Sequence, residues 1–363
     1  MSNLISSVDV ANTLNKWYLH IKKREVSQAV ELRDEIQEML GEMEENQDVL
    51  LYFNILDYRF KVLMEDLVGQ PTITESERVK TDDMLRFYFY LFKGMYESAK
   101  NNYSEALVLF RVAERQLDKV HDEIEKAEFH YKIGTLYYFN KVTLLSHHHL
   151  QTAKDIYKGH EGYSIQTINC NMLLALNLID DGRLDKAERI LLDCVDRLIE
   201  KNDKRLLALA YYDLGFLKIQ DDHHIEAIEY FNKAIFADDL KQSAPVSYLQ
   251  CAYEFARSSY KSNQLDQAIS WVAEGKSFSK EQQNTNFILK FNILEKCYTT
   301  PRESYEDIKK GLCLLEERKA YVDIEALAPD VASIYKKLNL YEESNYFLEL
   351  ALKSCTLIGK EVI

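Results

Sequence analysis

Three consecutive histidines, His147, His148 and His149, are the densest run of metal-ligating side chains in the chain. Imidazole nitrogens are good zinc ligands. The run reads as mid-helix, however, and consecutive helical residues point about 100° apart, so the three rings are poorly placed to share one ion. His223 and His224 fall in a predicted turn and read as solvated. Carboxylate doublets occur at Glu44-Glu45, Asp221-Asp222 and Asp238-Asp239. Paired carboxylates can do acid–base chemistry. In a chain with 59 acidic residues they read instead as solvated faces. The sequence has no G-x-x-x-x-G-K-[ST], no G-x-G-x-x-G and no H-E-x-x-H. Its six cysteines (Cys170, Cys194, Cys251, Cys297, Cys313 and Cys355) show no C-x-x-C spacing. Most lie on apolar helix faces and read as reduced core thiols of a cytoplasmic protein. No metal site or cofactor is expected on this chain.

The elements behind these residues announce themselves as a repeat of 40 to 41 residues. Small residues recur at Gly94, Ala106 and Ala113, then Gly134, Ser146 and Ala153, then Ala175, Ala187 and Cys194. The series continues at Gly215, Ala227 and Ala234, at Ala256, Ala268 and Gly275, and at Ala332, Ser344 and Ala351. Antiparallel helices need small residues where they cross, because their axes approach to about 8–10 Å. This is how the tetratricopeptide (TPR) repeat is read, as a helix–turn–helix unit that buries its apolar face only by stacking. The usual TPR period is about 34 residues, so longer helices or turns are expected here. The pattern fades between Gly275 and Ala332, which leaves room for one degenerate repeat around Phe291–Cys313. The last repeat should act as a cap.

Composition agrees. An apolar fraction of 47% is ample for a core, and 11 Gly with 4 Pro argue against disorder or a turn-rich all-β fold. The net charge of −14 disfavours direct binding to nucleic acid. The opening MSNLISSVDV lacks a basic and then apolar leader, and no run of about 18 apolar residues suggests a membrane span.

Residues 1–67 do not follow the repeat. Val10, Leu14, Trp17 and Ile21 share one helical face, Ala29, Leu32, Ile36, Leu40 and Met43 a second, and Leu51, Ile55, Tyr58, Val62 and Leu63 a third. Three amphipathic helices with short connections predict a three-helix bundle. In residues 68–81 Gly69 and Pro71 stop the helix and the apolar period vanishes, which predicts a flexible linker. The TPR array then runs over 82–363. The expected fold is all-α, a bundle followed by a right-handed TPR superhelix of about seven helical pairs, the sixth irregular.

Several local strings point further. The bundle carries L-N-K-W-Y (Leu14–Tyr18) and M-E-E-N-Q-D (Met43–Asp48); the array carries F-K-G-M-Y-E (Phe92–Glu97), I-E-K-A-E-F (Ile124–Phe129), Y-K-G-H-E-G-Y (Tyr157–Tyr163) and N-L-I-D (Asn177–Asp180). In order and in domain split the whole chain resembles the Rap family of Bacillus and relatives. The resemblance implies control of two-component response regulators and phosphorelay signalling, as in sporulation and competence. Some members are hydrolases that remove the phosphoryl group from a regulator's aspartate. Others block a regulator's DNA-binding domain without chemistry. Short secreted Phr peptides, the signals of a quorum-sensing circuit, inhibit both from the TPR groove.

Under that resemblance Gln47 is the catalytic position, entering the regulator's active site to orient a water molecule. The divalent metal belongs to the regulator. Asn46, Leu50, Tyr58, Asp122, Glu125 and Tyr163 are implied regulator contacts. Asn46 stands where phosphatase members often carry aspartate, and Tyr58 where they carry phenylalanine. Loss of a charged hydrogen bond at Asn46 would cost about 1–2 kcal/mol. Asn177, Asp180 and Asp213 are implied peptide contacts. Asp180 suits a basic peptide residue through a charge-assisted pair. Asp213 departs from the family's asparagine: an amide donates and accepts, whereas a carboxylate only accepts. The cognate peptide therefore differs, binds more weakly, or does not exist. Two functions follow as expectations, an aspartyl-phosphate phosphatase and a non-enzymatic antagonist of a DNA-binding regulator. The acidic balance suits the second, since it mimics the charge of DNA. Gln47 together with Asp122 and Glu125 favours the first.

Overall fold

The computed structural model describes residues 4–23, 25–64, 83–100, 102–237 and 240–360, and all regular structure of more than a bridge among them is helical. The expected linker over 68–81 lies outside the described residues. Two compact units emerge, one from residues up to 140 with 148–160, the other from 141–147 and 161–361. No described helix is long and apolar enough to cross a membrane.

The first unit opens with α1 (Ser7–Lys23), α2 (Val26–Glu42) and α3 (Gln47–Met64). Val10, Leu14, Trp17 and Ile21 are all buried, as the spacing predicts. Trp17 is the hub. Its ring lies 5.6 Å from Phe53 and 5.5 Å from Phe60, and its Nε1 donates to the Ala29 carbonyl at 2.8 Å. A fully buried indole thus finds the acceptor it needs.

Seven helical pairs follow among the described residues. They are α4 (Asp83–Ala99) with α5 (Tyr103–Glu114), α6 (Glu123–Phe139) with α7 (Thr143–Lys158), and α8 (Ser164–Asp180) with α9 (Leu184–Lys201). Next come α10 (Lys204–Gln220) with α11 (His224–Ala237), a single turn α12 (Leu240–Ser243), and α13 (Pro245–Lys261) with α14 (Leu265–Glu281). The last are α15 (Thr285–Thr299) with α16 (Tyr305–Glu317), and α17 (Tyr321–Lys337) with α18 (Tyr341–Lys360). Within five of the seven pairs a residue with positive φ ends the first helix: Lys141, Gly182, Asp222, Asn263 and Asn339. Such residues close a helix C-terminus. In the sixth pair residues 300–304 replace that tight turn, which is the expected irregularity.

The small residues are notches for large side chains 16 positions on. A methyl group on Gly94 would lie 3.3 Å from the Phe110 ring, and one on Gly134 2.9 Å from Leu150. At Gly215 and Gly275 it would overlap the rings of Phe231 and Phe291. Phe291 is fully buried and packs edge-on to Tyr253 at 5.6 Å, so the ring has nowhere to go. Gly275→Ala is expected to destabilise the second unit by about 2 kcal/mol, since overpacking outweighs the better helix propensity of alanine. Gly41→Ala, which meets nothing within 4 Å, is the control and should stabilise by about 0.5–1 kcal/mol. Urea unfolding followed by fluorescence checks both; equal midpoints for Gly275→Ala and the parent would contradict the notch.

Candidate functional site

The bundle places Gln47 on a braced corner. The loop between α2 and α3 is tied to the start of α1 by Ile5 N–H donating to the Glu42 carbonyl and Glu44 N–H to the Ile5 carbonyl, both at 3.0 Å. Glu44 accepts from the Ser7 N–H at 2.9 Å and the Ser7 hydroxyl at 2.7 Å, and these bonds hold its carboxyl below the usual range. Asn46 is the N-cap of α3. Its Oδ1 accepts from the backbone N–H of Asp48 at 3.1 Å and Val49 at 3.2 Å. Asparagine and aspartate cap helices about equally well, so the neutral side chain performs the local task that an aspartate would. Gln47, the first residue of α3, is exposed and makes no side-chain hydrogen bond among the described residues. Leu50 is half-buried one turn on.

Two other expected contact residues, Tyr58 and Glu125, are not on the surface. Tyr58 is 3% exposed and packs edge-on to Phe89 and Tyr96, so it is an interior residue. Asp122 is exposed and caps α6, accepting from the Ile124 N–H at 2.8 Å. Glu125 is 2% exposed. It accepts from the Tyr18 hydroxyl at 2.8 Å and is paired with Lys22. Burial, and then the charge of Glu128, raise its carboxyl above the usual range against the pull of Lys22. Glu128 is buried too, yet Arg59 at 2.6 Å, with Lys132 and Lys22, keeps it ionised below the usual range. Tyr52, five residues after Gln47, has its phenol pushed up to about 12 by burial and by the charge of Glu125. Residue types alone did not reveal Tyr18, Lys22, Arg59 and Glu128, because their partners lie far off in sequence. Tyr163 belongs to the second unit, where it is half-buried as the N-cap of α8.

The second unit holds the other candidates. Asn177 is 1% exposed; its Nδ2 donates to the Ser146 hydroxyl at 2.9 Å, and its Oδ1 has no partner. It is therefore interior rather than an open groove contact. Asp180 ends α8, with Oδ2 3.9 Å from Lys141 Nζ. Partial burial raises its carboxyl more than Lys141 lowers it. Asp213 on α10 is 6% exposed, and burial pushes its carboxyl well up. Beyond it lie charged groups that sequence reading passed over. Arg257 pairs with Glu254 at 3.0 Å and with Asp330, Lys261 with Asp330 at 2.9 Å, and Lys290 with Asp323 at 2.8 Å. A cavity of about 980 Å³ lies beside them, lined by His224, Tyr260, Lys261, Tyr298, Asp330 and Lys337 among others. His224 is not solvated as expected. Its side chain is 10% accessible, because it starts α11 under that cavity wall.

The histidine run resolves into separate environments. His149 is buried, shares a 2.8 Å Nδ1–Nδ1 contact with His130, and stacks on Tyr137. Burial drops both rings to about 4, so both are neutral near pH 7. Four of the cysteines are buried, Cys313 is half-buried and Cys355 is exposed; all six are free thiols.

Comparison with known proteins ties these features together. Residues 4–65 match the family model described as response regulator aspartate phosphatase H, N terminal. Over 340 residues the chain is 32% identical to regulatory protein RapD of Bacillus subtilis (strain 168), covering 93% of this chain and 96% of RapD. It is 33% identical over 366 residues to regulatory protein RapG of the same strain, covering 99% of this chain and 100% of RapG. Among solved structures it is similar to a Rap protein complexed with competence and sporulation factor, with a TM-score of 0.88, 29% identity, and 98% and 99% of the two chains covered. With the bundle, the repeats and both full-length relatives in agreement, this chain belongs to the Rap family.

Proposed function

We propose that this protein binds a response regulator and removes the phosphoryl group from its aspartate, and that a short Phr-type peptide held by the TPR repeats inhibits it. The observation that carries the reading is Gln47, exposed at the start of a capped and braced helix, within the segment that matches the phosphatase-named family model. An amide both donates and accepts, so it can hold a water molecule in line with phosphorus, as a glutamine does in GTPases. The water oxygen bonds to phosphorus as the bond to the aspartyl oxygen breaks. Inorganic phosphate leaves and the regulator's carboxylate is restored. The metal that offsets the phosphoryl charge is the regulator's own, and this chain supplies no nucleophile. In this reading residues 1–67 form the regulator-binding domain, Asp122 of α6 and Tyr163 are further regulator contacts, and the work is done in the cytoplasm.

A second reading is favoured by the names of RapD and RapG, each of which is called a regulatory protein. Here the chain occludes a regulator's DNA-binding domain. One experiment separates the two: regulators of the host are phosphorylated, mixed with the full chain, and followed for phosphate loss and for DNA binding by gel shift. Phosphate loss is the expected result. Lost DNA binding with the phosphate retained would select the second reading.

A further inference from the structure

An unpartnered charge in a protein interior is costly, so buried charges are normally paired or neutralised. Among the described residues the buried charged side chains are Asp57, Glu97, Glu125, Glu128, Asp213, Glu254 and Lys290. Six of them have a partner within the protein. Asp57 takes Arg33 at 3.1 Å, Glu97 accepts from the Asn102 amide at 2.7 Å, and Glu128 takes Arg59 at 2.6 Å. Glu125 takes Lys22 and Tyr18. Glu254 takes Arg257 at 3.0 Å, and Lys290 takes Asp323 at 2.8 Å. Asp213 alone makes no hydrogen bond or ion pair among the described residues.

The repeat supplies its own control. Asp213 stands two residues before Gly215, Glu254 two before Ala256, and Asp330 two before Ala332. These are equivalent positions on the first helices of the fourth, fifth and seventh pairs. At two of them the protein brings cations to the carboxylate: Arg257 serves Glu254 and Asp330, and Lys261 serves Asp330 as well. At the third, none of the described residues brings one. The position of Asp213 is also fixed, because Gly215 is locked against Phe231 and Tyr212 packs on the same ring at 5.9 Å. Helix α10 cannot roll to return the carboxylate to water without opening that contact.

We propose that Asp213 receives a cationic group of the ligand, an ammonium or guanidinium carried by a short peptide. This rests on the peptide-binding reading above and adds a requirement to it. Burial holds the unpaired Asp213 carboxyl well above its usual range, and a cation placed against it restores the carboxylate form. A cation satisfies it through charge-assisted hydrogen bonds, which are the stronger kind. With Asp180 as a second carboxylate in this unit, the ligand is expected to carry two positive groups. Its own N-terminal ammonium is one available source and a basic side chain the other.

The test is affinity selection on the immobilised full chain from a fully randomised pentapeptide pool, offered with free and with acetylated N-termini. The retained pools are sequenced position by position. Wild type is expected to enrich the cationic forms about tenfold, the scale of one charge-assisted hydrogen bond. Asp213→Asn should lose one enrichment and keep the other, and Asp180→Asn should do the converse. Loss of the preference for a free N-terminus identifies the ammonium as the group at Asp213; loss at a side-chain position identifies lysine or arginine. If Asp213→Asn retains the full charge preference, the proposal is wrong. If neither protein retains any peptide, the peptide-binding reading itself falls and the proposal goes with it. Thermal unfolding without ligand gives a second readout: Asp213→Asn should melt higher than wild type, because an unpaired carboxylate is removed. A lower melting point would mean that the protein already satisfies Asp213, and would also overturn the proposal.

Discussion

Gln47→Ala is expected to lower the rate of phosphate release from a phosphorylated response regulator by about 10²-fold or more, the usual scale for removing one positioned hydrogen-bonding group from a reaction centre. Binding to the regulator should weaken little, because the side chain forms no contact that organises its own chain. Stability should also change little, within about 0.5 kcal/mol, since Gln47 is exposed. Gln47→Asn keeps the amide but withdraws it by one methylene, and it should be nearly as slow as alanine if water must be held at one place. Asn46→Asp preserves the cap on α3 and should keep most of the activity, whereas Asn46→Ala costs the cap about 1 kcal/mol. The measurement is loss of labelled phosphate from the regulator under single-turnover conditions, with binding followed separately. Equal rates for wild type, Gln47→Ala and Gln47→Asn would remove Gln47 from the chemistry, and the gel-shift reading would then gain.

Much of the fold was legible because its signals are local. Gly94 and Phe110, Gly134 and Leu150, and Gly215 and Phe231 stand 16 residues apart within a helical pair, so one period exposes the whole array. The sixth pair blurred for a physical reason. Its notches run between pairs: Gly275 of α14 receives Phe291 of α15, and the turn over 300–304 has no left-handed residue to mark it. The turns themselves were hard to see, because Lys141, Asp222, Asn263 and Asn339 adopt positive φ where glycine would have announced it. The candidate sites were legible in residue type and less so in exposure. Tyr58, Glu125 and Asn177 all fall within the expected sites, yet each is buried. Their burial depends on partners such as Tyr18, 107 residues from Glu125, and no periodicity within one helix encodes such a pair. Glu254, Arg257 and Asp330 could have been found, because two of them repeat the register of Asp213.

The second large effect is expected at Glu125. Replacing it with alanine should destabilise the first unit by about 3 kcal/mol, because breaking a buried ion pair strands the surviving charge. That value lies at the low end of the range, since the Lys22 side chain keeps 19% of its surface in solvent. The Tyr18 hydroxyl loses its acceptor in the same step and has no solvent to turn to, being 7% exposed with its residue. If the loss comes from the stranded ammonium, removing that charge as well should recover much of it. Lys22→Met on top of Glu125→Ala is therefore expected to be more stable than Glu125→Ala alone, with a coupling energy of about 1–3 kcal/mol. Trp17 at the hub of the bundle reports the transition in a Trp271→Phe background, which leaves one tryptophan of the two. The regulator assay gains from the same variants. Glu125 sits one turn into α6 behind the Asp122 cap, and Lys22 and Tyr18 of α1 hold it there. If Glu125 acts by fixing α6 against the bundle, activity should follow stability across the series and return with Lys22→Met. If Glu125 touched the regulator directly, the double variant would regain stability and remain inactive.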